Sequence, residues 1–238
     1  MVPISLRMKT IADMVPMGLS VADIGCDHGF VSIYMVMNRK APKAVAMDVN
    51  EGPLIRAKEH IAQFGVEDII ETRLSDGAVK LEKGEVDSAI IAGMGGRLTI
   101  KILSESMDKF KAMKSLVLSP HSDIPLVRAF LCEEGFVIKD EEMVFDEGKY
   151  YVIIRCTYAG KVATISELER EYGPCLIQKK HPVLIEYLNA EIQKMNEIEG
   201  HLSKELESAN ENRTESIKNR IEEIDTKILG MKKILSSM

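Results

Sequence analysis

The sequence predicts an α/β protein: a Rossmann-like parallel sheet that ends in an antiparallel hairpin, followed by a C-terminal antiparallel helical coiled-coil hairpin. Three observations lead to this fold class. Short apolar, strand-like runs alternate with helical stretches over the first two-thirds of the chain, an order that builds a parallel sheet covered by helices. Two consecutive β-like runs then flank the turn sequence Asp146–Lys149. From Val183 onward, apolar residues recur at coiled-coil spacing.

The predicted sheet begins with five apolar runs rich in Val, Ile, Leu and Ala, a composition that fits buried parallel strands. These runs are Ser20–Ile24, Ala44–Asp48, Ile69–Leu74, Val86–Ala92 and Ser115–Ser119. The helical patterns between and after them are Phe30–Asn38, Gly52–Phe64, Leu98–Ser106 and Ile124–Glu134. Glu142–Phe145 and Tyr150–Thr157 are the strands of the closing hairpin.

The C-terminal segment predicts a second domain. Strand signals vanish beyond Ala159-Gly160, so the predicted domains are residues 1–160 and 161–238. One apolar stripe is Ile185, Leu188, Ile192, Met195, Leu202 and Leu206, interrupted at Glu199 beside Ile198; the other is Ile217, Ile221, Ile224, Ile228, Met231 and Leu235. Asn210–Arg213 predicts the turn between them. Narrow stripes with charged flanks favour two helices that pack on each other, and the alternative is packing on the first domain.

Composition narrows the class of protein. With 31 basic and 37 acidic residues the net charge is −6, which is not typical of a nucleic-acid-binding domain, although a local basic patch could still bind RNA. The four cysteines form no C-x-x-C pair, so we expect neither a metal site nor a redox motif. The N-terminus lacks a secretory pattern, and no apolar run approaches the ~20 residues that span a bilayer. We therefore expect a cytoplasmic protein with no membrane partner.

A glycine-rich loop closes the first predicted strand and opens the first helix, in the sequence Val-Ala-Asp-Ile-Gly-Cys-Asp-His-Gly-Phe at 21–30. Gly25 permits a tight turn against a ligand, and Gly29 allows close passage into the helix. Such a loop alone is shared by all dinucleotide-binding domains. Asp23 and Asp27 make it more specific, because carboxylates repel a pyrophosphate but tolerate a cationic ligand. The alternative is that both aspartates only cap the helix.

Two further acids follow predicted strands. Asp48 ends the second strand, where a carboxylate can accept hydrogen bonds from both ribose hydroxyls of a nucleoside. Asp76 follows the third strand within Ser75-Asp76-Gly77. A carboxylate here can accept a hydrogen bond from the amino group of an adenine base. The alternatives are a chance strand-end aspartate at Asp48 and a simple Asp-Gly turn at Asp76.

Three motifs resemble the TrmK family, bacterial tRNA methyltransferases that act on N1 of adenine 22. They are Ala22–His28, Asp48–Pro53 and Ile91–Gly96, of which the last two are distinctive. The resemblance is close over residues 5–158 and looser over the helical tail. It implies a class I methyltransferase domain with a C-terminal coiled-coil domain, S-adenosylmethionine as the methyl donor and tRNA as the partner. Five parallel strands followed by a hairpin are also the strand pattern of that class.

The resemblance implies a role for each matching residue. The expected donor-binding residues are Asp23, Gly25, Cys26, Asp48, Val49, Asp76, Gly77, Gly93 and Met94. Asp27 and His28 are the expected catalytic residues near the transferred methyl. Asp27 would stabilise the positive charge that builds on adenine. His28 would orient Asp27, contact the tRNA backbone, or only bond within the loop.

Two loops depart from familiar patterns. Gly93-Met94-Gly95-Gly96 stands where many amino-methylating enzymes carry Asn/Asp-Pro-Pro-aromatic, a departure that suits a ring-nitrogen target. Ser119-Pro120-His121-Ser122 replaces an expected asparagine-bearing loop, and its role stays open. Lys179-Lys180-His181 and Lys232-Lys233 are either phosphate contacts or an ordinary solvated face.

Three other functions are compatible with parts of the sequence. A nicotinamide dehydrogenase would carry G-x-G-x-x-G and a catalytic domain after its first sheet, and this chain has neither pattern. A non-catalytic Rossmann scaffold with a docking arm would not need Asp23, Asp48 and the loop glycines. A methyltransferase with a protein or small-molecule substrate is disfavoured by the helical hairpin, and one with a different RNA substrate stays an alternative.

Overall fold

The computed structural model describes residues 2–207 and 211–238. It divides the chain into two compact units, Met1–Cys175 and Leu176–Met238. Among the described residues, no helix is both long and apolar enough to cross a membrane.

The first unit contains a seven-stranded sheet that confirms the predicted fold class. Its strands are β1 Val21–Ile24, β2 Ala44–Asp48, β3 Ile70–Leu74, β4 Ser88–Ala92, β5 Ser115–Ser119, β6 Phe136–Asp146 and β7 Lys149–Tyr158. The spatial order is β3-β2-β1-β4-β5-β7-β6. Strands β1 to β5 pair in parallel, and β7 runs antiparallel to both β5 and β6.

Helices surround this sheet, and four of them were not predicted from the sequence. The helices are α1 Leu6–Met14, α2 Phe30–Met37, α3 Glu51–Phe64, α4 Gly96–Glu105, α5 Met107–Phe110, α6 Ile124–Glu133, α7 Glu167–Tyr172 and α8 Pro174–Gln178. The unpredicted ones are α1, α5, α7 and α8. Helices α5, α7 and α8 have six residues or fewer, so their apolar periodicity covers too few turns to be recognised, whereas α1 was missed although it is longer than α2.

Strand β1 lies at the centre of the sheet. Val21 and Ala22 are fully buried, and Ile24 is nearly so. Both faces of a parallel strand are covered by helices, which explains the near-continuous apolar runs. Because β1 to β4 run in the same direction, the loops that leave their carboxyl ends meet at one edge of the sheet.

Strand β6 is much longer than the predicted Glu142–Phe145, since it begins at Phe136. The first half of β6 was not predicted because it contains charged residues and because its register with β7 shifts between Ile138 and Asp140. One of its charges, Glu141, is fully buried and pairs with Arg128 of α6 at 2.8 Å between Oε1 and Nε. A sequence pattern that assumes buried strands to be apolar therefore misses this half of β6.

The segment after β7 belongs to the first unit because it covers the Arg128–Glu141 pair. Nη1 of Arg128 donates to the carbonyl oxygens of Arg170 and Glu171, at 2.9 and 2.8 Å. The backbone N–H of Cys175 donates to Oε2 of Glu141 at 2.9 Å. A buried ion pair is tolerated only when such hydrogen bonds compensate its lost hydration. The compact unit accordingly ends at Cys175, beyond the predicted boundary at Gly160.

The second unit confirms the predicted helical hairpin. Its helices, α9 Pro182–Leu206 and α10 Glu211–Ser237, contact each other. The short link between them reaches at most ~14 Å, whereas the 25 residues of α9 span about 37 Å, so the helices run antiparallel. Glu211–Arg213 already belong to α10, which contradicts their assignment to a turn. Asn210 lies outside the described residues.

The apolar stripe of α10 is largely as predicted, and that of α9 is less so. Ile217, Ile224, Ile228 and Met231 of α10 are buried, whereas Leu188 is the one predicted position of α9 that is buried. Leu235 and Ile185 are half-buried, and their neighbours Ile234 and Leu184 are buried instead. The other predicted positions are also half-buried: Ile192, Met195, Leu202, Leu206 and Ile221.

Removing one partner of the buried pair tests this account of the first unit. We expect Arg128→Ala to lower the free energy of unfolding by about 3–5 kcal/mol, because it leaves the Glu141 carboxylate buried without its cation. Arg155→Ala is the matched control: its contact with Asp140 is 3.9 Å long and partly exposed, so its loss should cost under about 1 kcal/mol. Urea unfolding of both variants measures the difference. Equal losses would contradict a special role for the buried pair.

Candidate active site

A cavity of about 490 Å³ opens where the loops after β1, β2, β3 and β4 meet. All nine residues expected to bind a donor line it: Asp23, Gly25, Cys26, Asp48, Val49, Asp76, Gly77, Gly93 and Met94. Asp27 lines it as well. His28 is not among the lining residues, so its role near the reacting group stays a prediction.

Asp23 is a buried carboxyl in the wall of this cavity. It is the last residue but one of β1, and its Oδ2 accepts a hydrogen bond from the Ser32 hydroxyl at 2.9 Å. Burial raises the pKa of Asp23 to about 6, although the Ser32 hydrogen bond opposes that shift. A carboxylate that has lost its hydration in this way is stabilised by any cation that enters the cavity.

The loop after β1 depends on its two glycines. Gly25 has a φ of +79°, and a Cβ there would collide with Cε of Met94. Gly29 has a φ of +72°, and a Cβ there would lie 3.2 Å from that of Ala57 in α3. Both positions require glycine, as predicted, because the chain must turn tightly and pass close to a neighbouring helix.

Asp27 does not cap α2, since the N-cap residue is Gly29 and no side chain caps the helix. Its own φ of +48° turns the loop, and its Oδ1 accepts a hydrogen bond from Arg56 of α3 at 3.1 Å. Its other oxygen lies 3.6 Å from Nε2 of His28. The carboxylate is therefore held at the rim of the cavity by two groups on its outer side.

The His28 side chain lies outside the cavity because it packs among other rings. Its centroid is 5.9 Å from Phe30 and 5.6 Å from His60, and its carbonyl oxygen lies 2.9 Å from Nδ1 of His60. Of the four aspartates of the cavity, Asp27 is the one that His28 contacts. Of the roles considered for His28, bonding within the loop and orienting Asp27 are compatible with this position.

Asp48 and Asp76 reach the cavity from β2 and β3. Oδ1 of Asp48 accepts a hydrogen bond from the backbone N–H of Asn50 at 2.9 Å, which fixes the carboxylate at the strand end. Around Asp76 the Ser75 hydroxyl donates to the Gly77 carbonyl at 3.0 Å, and Gly77 has a φ of +53°. Asp76 and Gly77 thus form a turn, and this turn also places Asp76 at the cavity. The interpretation of Asp76 as a turn residue is therefore compatible with its interpretation as a ligand-facing residue.

Sequence reasoning missed the wall formed by α1 and by the loop after β5. Arg7, Met8 and Ile11 line the cavity from α1, and His121 lines it from that loop. The backbone N–H of His121 donates to the carbonyl oxygen of Met94 at 2.8 Å, which joins the loops after β4 and β5. Partial burial, and then the charges of Arg7 and Lys149, lower the pKa of His121. No local signal could have found Arg7, because α1 itself was not predicted.

The charges of the cavity define what it can bind. Asp23, Asp27, Asp48 and Asp76 give it four carboxylates, which favour a cationic ligand and disfavour a pyrophosphate. This arrangement argues against a nicotinamide dinucleotide. In the described part of the chain, no cluster of three or more His, Cys, Asp or Glu residues could hold a metal ion.

Comparisons with known proteins agree with this chemistry. A family model described as a methyltransferase domain matches residues 4–154. The Bacillus subtilis (strain 168) tRNA (adenine(22)-N(1))-methyltransferase is 29% identical over 236 residues, which are 98% of this chain and 97% of that protein.

Two solved structures resemble the chain over nearly its whole length. The crystal structure of the B. subtilis M1A22 tRNA methyltransferase TrmK is 29% identical, with a TM-score of 0.81 and coverage of 98% of this chain and 99% of that one. The structure of Streptococcus pneumoniae Sp1610 in complex with S-adenosyl-L-methionine is 28% identical, with a TM-score of 0.79 and the same coverage. These likenesses confirm the resemblance inferred from the three sequence motifs.

The raised pKa of Asp23 predicts how stability depends on pH. The folded-state pKa of about 6 exceeds the ordinary value of 3.8, so the contribution of Asp23 to stability is fully present below pH 3.8 and is lost as the pH rises through about 6. We expect Asp23→Asn to remove this loss, which is worth roughly 3 kcal/mol, and to make the unliganded protein more stable than wild type at pH 8. Urea unfolding between pH 4 and 8 measures it.

Asp87→Asn is the control of opposite sign. Lys114 and Ser20 lower the pKa of Asp87 to about 2, so its ionised form stabilises the fold and its removal should destabilise the protein at pH 8. If Asp23→Asn also destabilised the protein at pH 8, the carboxylate would be compensated within the fold itself.

Proposed function

We propose, from the premise that this chain belongs to the methyltransferase domain family, that it transfers the methyl group of S-adenosylmethionine to N1 of adenine 22 in tRNA. The observation that carries the proposal is the acidic cavity at the strand ends, which gathers every residue expected on the donor. The B. subtilis relative that matches 98% of the chain carries this activity in its name, and the S. pneumoniae structure holds this donor.

The cavity fits a cationic nucleoside ligand. Asp48 is placed to accept hydrogen bonds from the ribose hydroxyls, and Asp76 to face the adenine amino group. Asp23 is placed to meet the positively charged amino acid end of the donor. Gly93 has a φ of +79°, and a Cβ there would meet no atom of the described residues within 4 Å, so the backbone borders open space. When bound, the donor supplies a methyl group already activated by its sulfonium charge.

Methyl transfer to N1 of adenine needs no general base before the attack. N1 of adenine has a lone pair in the plane of the ring, so no proton must leave before attack. The main tasks of the protein are to position the two reactants and to stabilise the charge that develops. Asp27 is suited to the second task, because positive charge builds on the adenine ring and Asp27 is the carboxylate at the rim. Arg56 holds that carboxylate from outside the cavity, 3.1 Å from its Oδ1.

The loop after β4 favours a ring-nitrogen target. The backbone N–H of Gly96 donates to the carbonyl oxygen of Ser122 at 3.0 Å, and a Cβ on Gly96 would lie 2.5 Å from that oxygen. The loops after β4 and β5 therefore pack backbone against backbone. Gly95 and Gly96 offer no polar side chain of the kind that grips an exocyclic amine in the Asn/Asp-Pro-Pro-aromatic enzymes.

The target adenine must be accessible on its Watson–Crick edge, where N1 lies, so it must be unpaired or flipped out of a helix. The helical hairpin adds a long surface that could contact tRNA away from the base. Lys232 and Lys233 are exposed on α10 and suit phosphate contacts. His181 is buried, so it does not belong to an exposed basic patch with Lys179 and Lys180.

Primer extension on an unmodified tRNA transcript tests the proposal, because N1-methyladenine blocks base pairing and stops the polymerase. We expect a stop at position 22 that requires both enzyme and S-adenosylmethionine. A transcript with guanine at position 22 is the control and should give no stop. Methylation at another position, or donor consumption without tRNA modification, would assign a different acceptor.

Asp48→Ala should weaken donor binding strongly, because the ribose hydroxyls lose a charged acceptor. Hydrogen bonds to charged groups are worth ~1.5–3 kcal/mol, so a roughly tenfold to hundredfold loss of affinity is expected. Asp68→Ala, in an exposed turn before β3, is the matched control and should bind the donor normally. Calorimetry with S-adenosylmethionine compares the two. Unchanged affinity in Asp48→Ala would remove Asp48 from the donor site.

Asp27→Asn should reduce the rate of methyl transfer by tenfold or more, while donor affinity stays close to wild type. The substitution keeps the shape of the side chain but removes the charge that would stabilise the alkylated adenine. His28→Gln should change the rate much less, because His28 does not line the cavity. Single-turnover assays separate these variants. Equal loss in both would show that the two residues act as one unit.

A further inference from the structure

Arg7 is a cation in the wall of an otherwise acidic cavity. It lies in the first turn of α1, and it lines the same cavity as Asp23, Asp48 and Asp76. Its backbone N–H donates to Oδ2 of Asp146 at 3.0 Å. Among the residues that the structure describes, no carboxylate forms an ion pair with its guanidinium group. The proposed methyl transfer gives no role to the charge of Arg7.

Two side chains hold the guanidinium of Arg7 in place. Its Nη1 contacts Nε2 of His121, and its central carbon lies 4.8 Å from the ring centroid of Tyr151. The His121 and Tyr151 rings are themselves 5.4 Å apart. Arginine can only donate hydrogen bonds, so Nε2 of His121 must be the acceptor and its proton must sit on Nδ1. Partial burial, and then the charges of Arg7 and Lys149, lower the pKa of His121, which favours this neutral form and leaves the positive charge of the pair on Arg7.

This arrangement leaves Arg7 ready for an anion. A guanidinium carries five N–H donors, and the histidine contact occupies one nitrogen only. The backbone N–H of Arg7 and, to a smaller extent, its charge lower the pKa of Asp146, but no ion pair with a described residue occupies the remaining guanidinium donors. Guanidinium matches the geometry of carboxylates and phosphates better than any other side chain.

The position of Arg7 in the fold indicates which anion it binds. Asp48 and Asp76 follow β2 and β3, on one side of β1, whereas His121 follows β5 and Tyr151 lies in β7, beyond β4 on the other side. The nucleoside end of the donor belongs with the two aspartates. Arg7 thus borders the side of the cavity that remains for the acceptor, and the oxyanion that an RNA acceptor brings is a phosphate.

We propose that Arg7, held by His121 and Tyr151, is an oxyanion-binding site that takes a phosphate of the RNA beside the target nucleotide. The inference rests on the proposed function, since it assumes an RNA acceptor. The donor contains one other oxyanion, its carboxylate, which presents the same chemistry to a guanidinium. His121 and Tyr151 are positioning residues in this proposal.

Salt-dependent tRNA binding by the full chain, measured without donor, tests the site. We expect Arg7→Ala to bind tRNA roughly tenfold more weakly and to reduce the slope of log affinity against log salt by about one phosphate contact. Arg7→Lys should restore most of the slope but only part of the affinity, because an ammonium lacks the guanidinium fork. Lys9→Ala is the matched control on the same helix, since Lys9 already pairs with Asp13 at 2.7 Å, and should leave the slope unchanged.

A donor experiment distinguishes the two oxyanions. We expect Arg7→Ala to bind S-adenosylmethionine and its decarboxylated analogue in the same affinity ratio as wild type. A selective loss of S-adenosylmethionine binding would move the site to the donor carboxylate and overturn its assignment to RNA. An unchanged salt slope in a variant that melts like wild type would overturn it as well. A wild-type chain that binds tRNA with this slope but does not methylate it would contradict the proposed function alone.

Discussion

Parallel pairing of β1 with β2 and β4 is the constraint on which the rest of the first unit depends. Parallel pairing requires a crossover after each of the first four strands, through a helix or, between β3 and β4, through a loop. These strands therefore run in the same direction, and the loops after them open at one edge. The four aspartates of the cavity come from three different stretches of sequence, after β1, β2 and β3, and these stretches meet only because of this geometry. The glycines at 25 and 29 are then required locally, because the loop after β1 must turn within a few residues and pass close to Met94 and Ala57.

Charge divides the cavity into two functional sides. Carboxylates gather around the ends of β1, β2 and β3, where burial of Asp23 raises its pKa and makes a cationic ligand the natural partner. Arg7 occupies the other side, above β5 and β7, where a neutral His121 and the Tyr151 ring hold it. A cationic methyl donor and a polyanionic acceptor need opposite surroundings at close range, and this division supplies both within one cavity.

The parts of the fold that could be predicted are those whose burial shows directly as apolar runs or apolar periodicity. Strands β1, β2 and β5 and helices α2, α3 and α6 lie close to their predicted bounds, because apolar periodicity reflects burial directly. The first half of β6 could not be predicted, since its buried Glu141 is compensated by Arg128 of α6 and by the backbone of residues 170–175. Gly173 completes this cover, because a Cβ there would lie 2.7 Å from the Glu141 carboxylate.

For this protein, sequence alone determined the fold class and the helical hairpin, and it predicted nine residues that line the cavity, because the alternation of elements, the glycine spacing and the strand-end aspartates are visible in the sequence. Tertiary structure alone decided which other side chains join them. It left His28 outside the cavity wall, with its ring packed against Phe30 and His60, and it added Arg7 and His121 from elements distant in sequence. The physical reason is that the direction of a side chain depends on what packs around it, and no local pattern records the neighbours that folding brings from elsewhere in the chain.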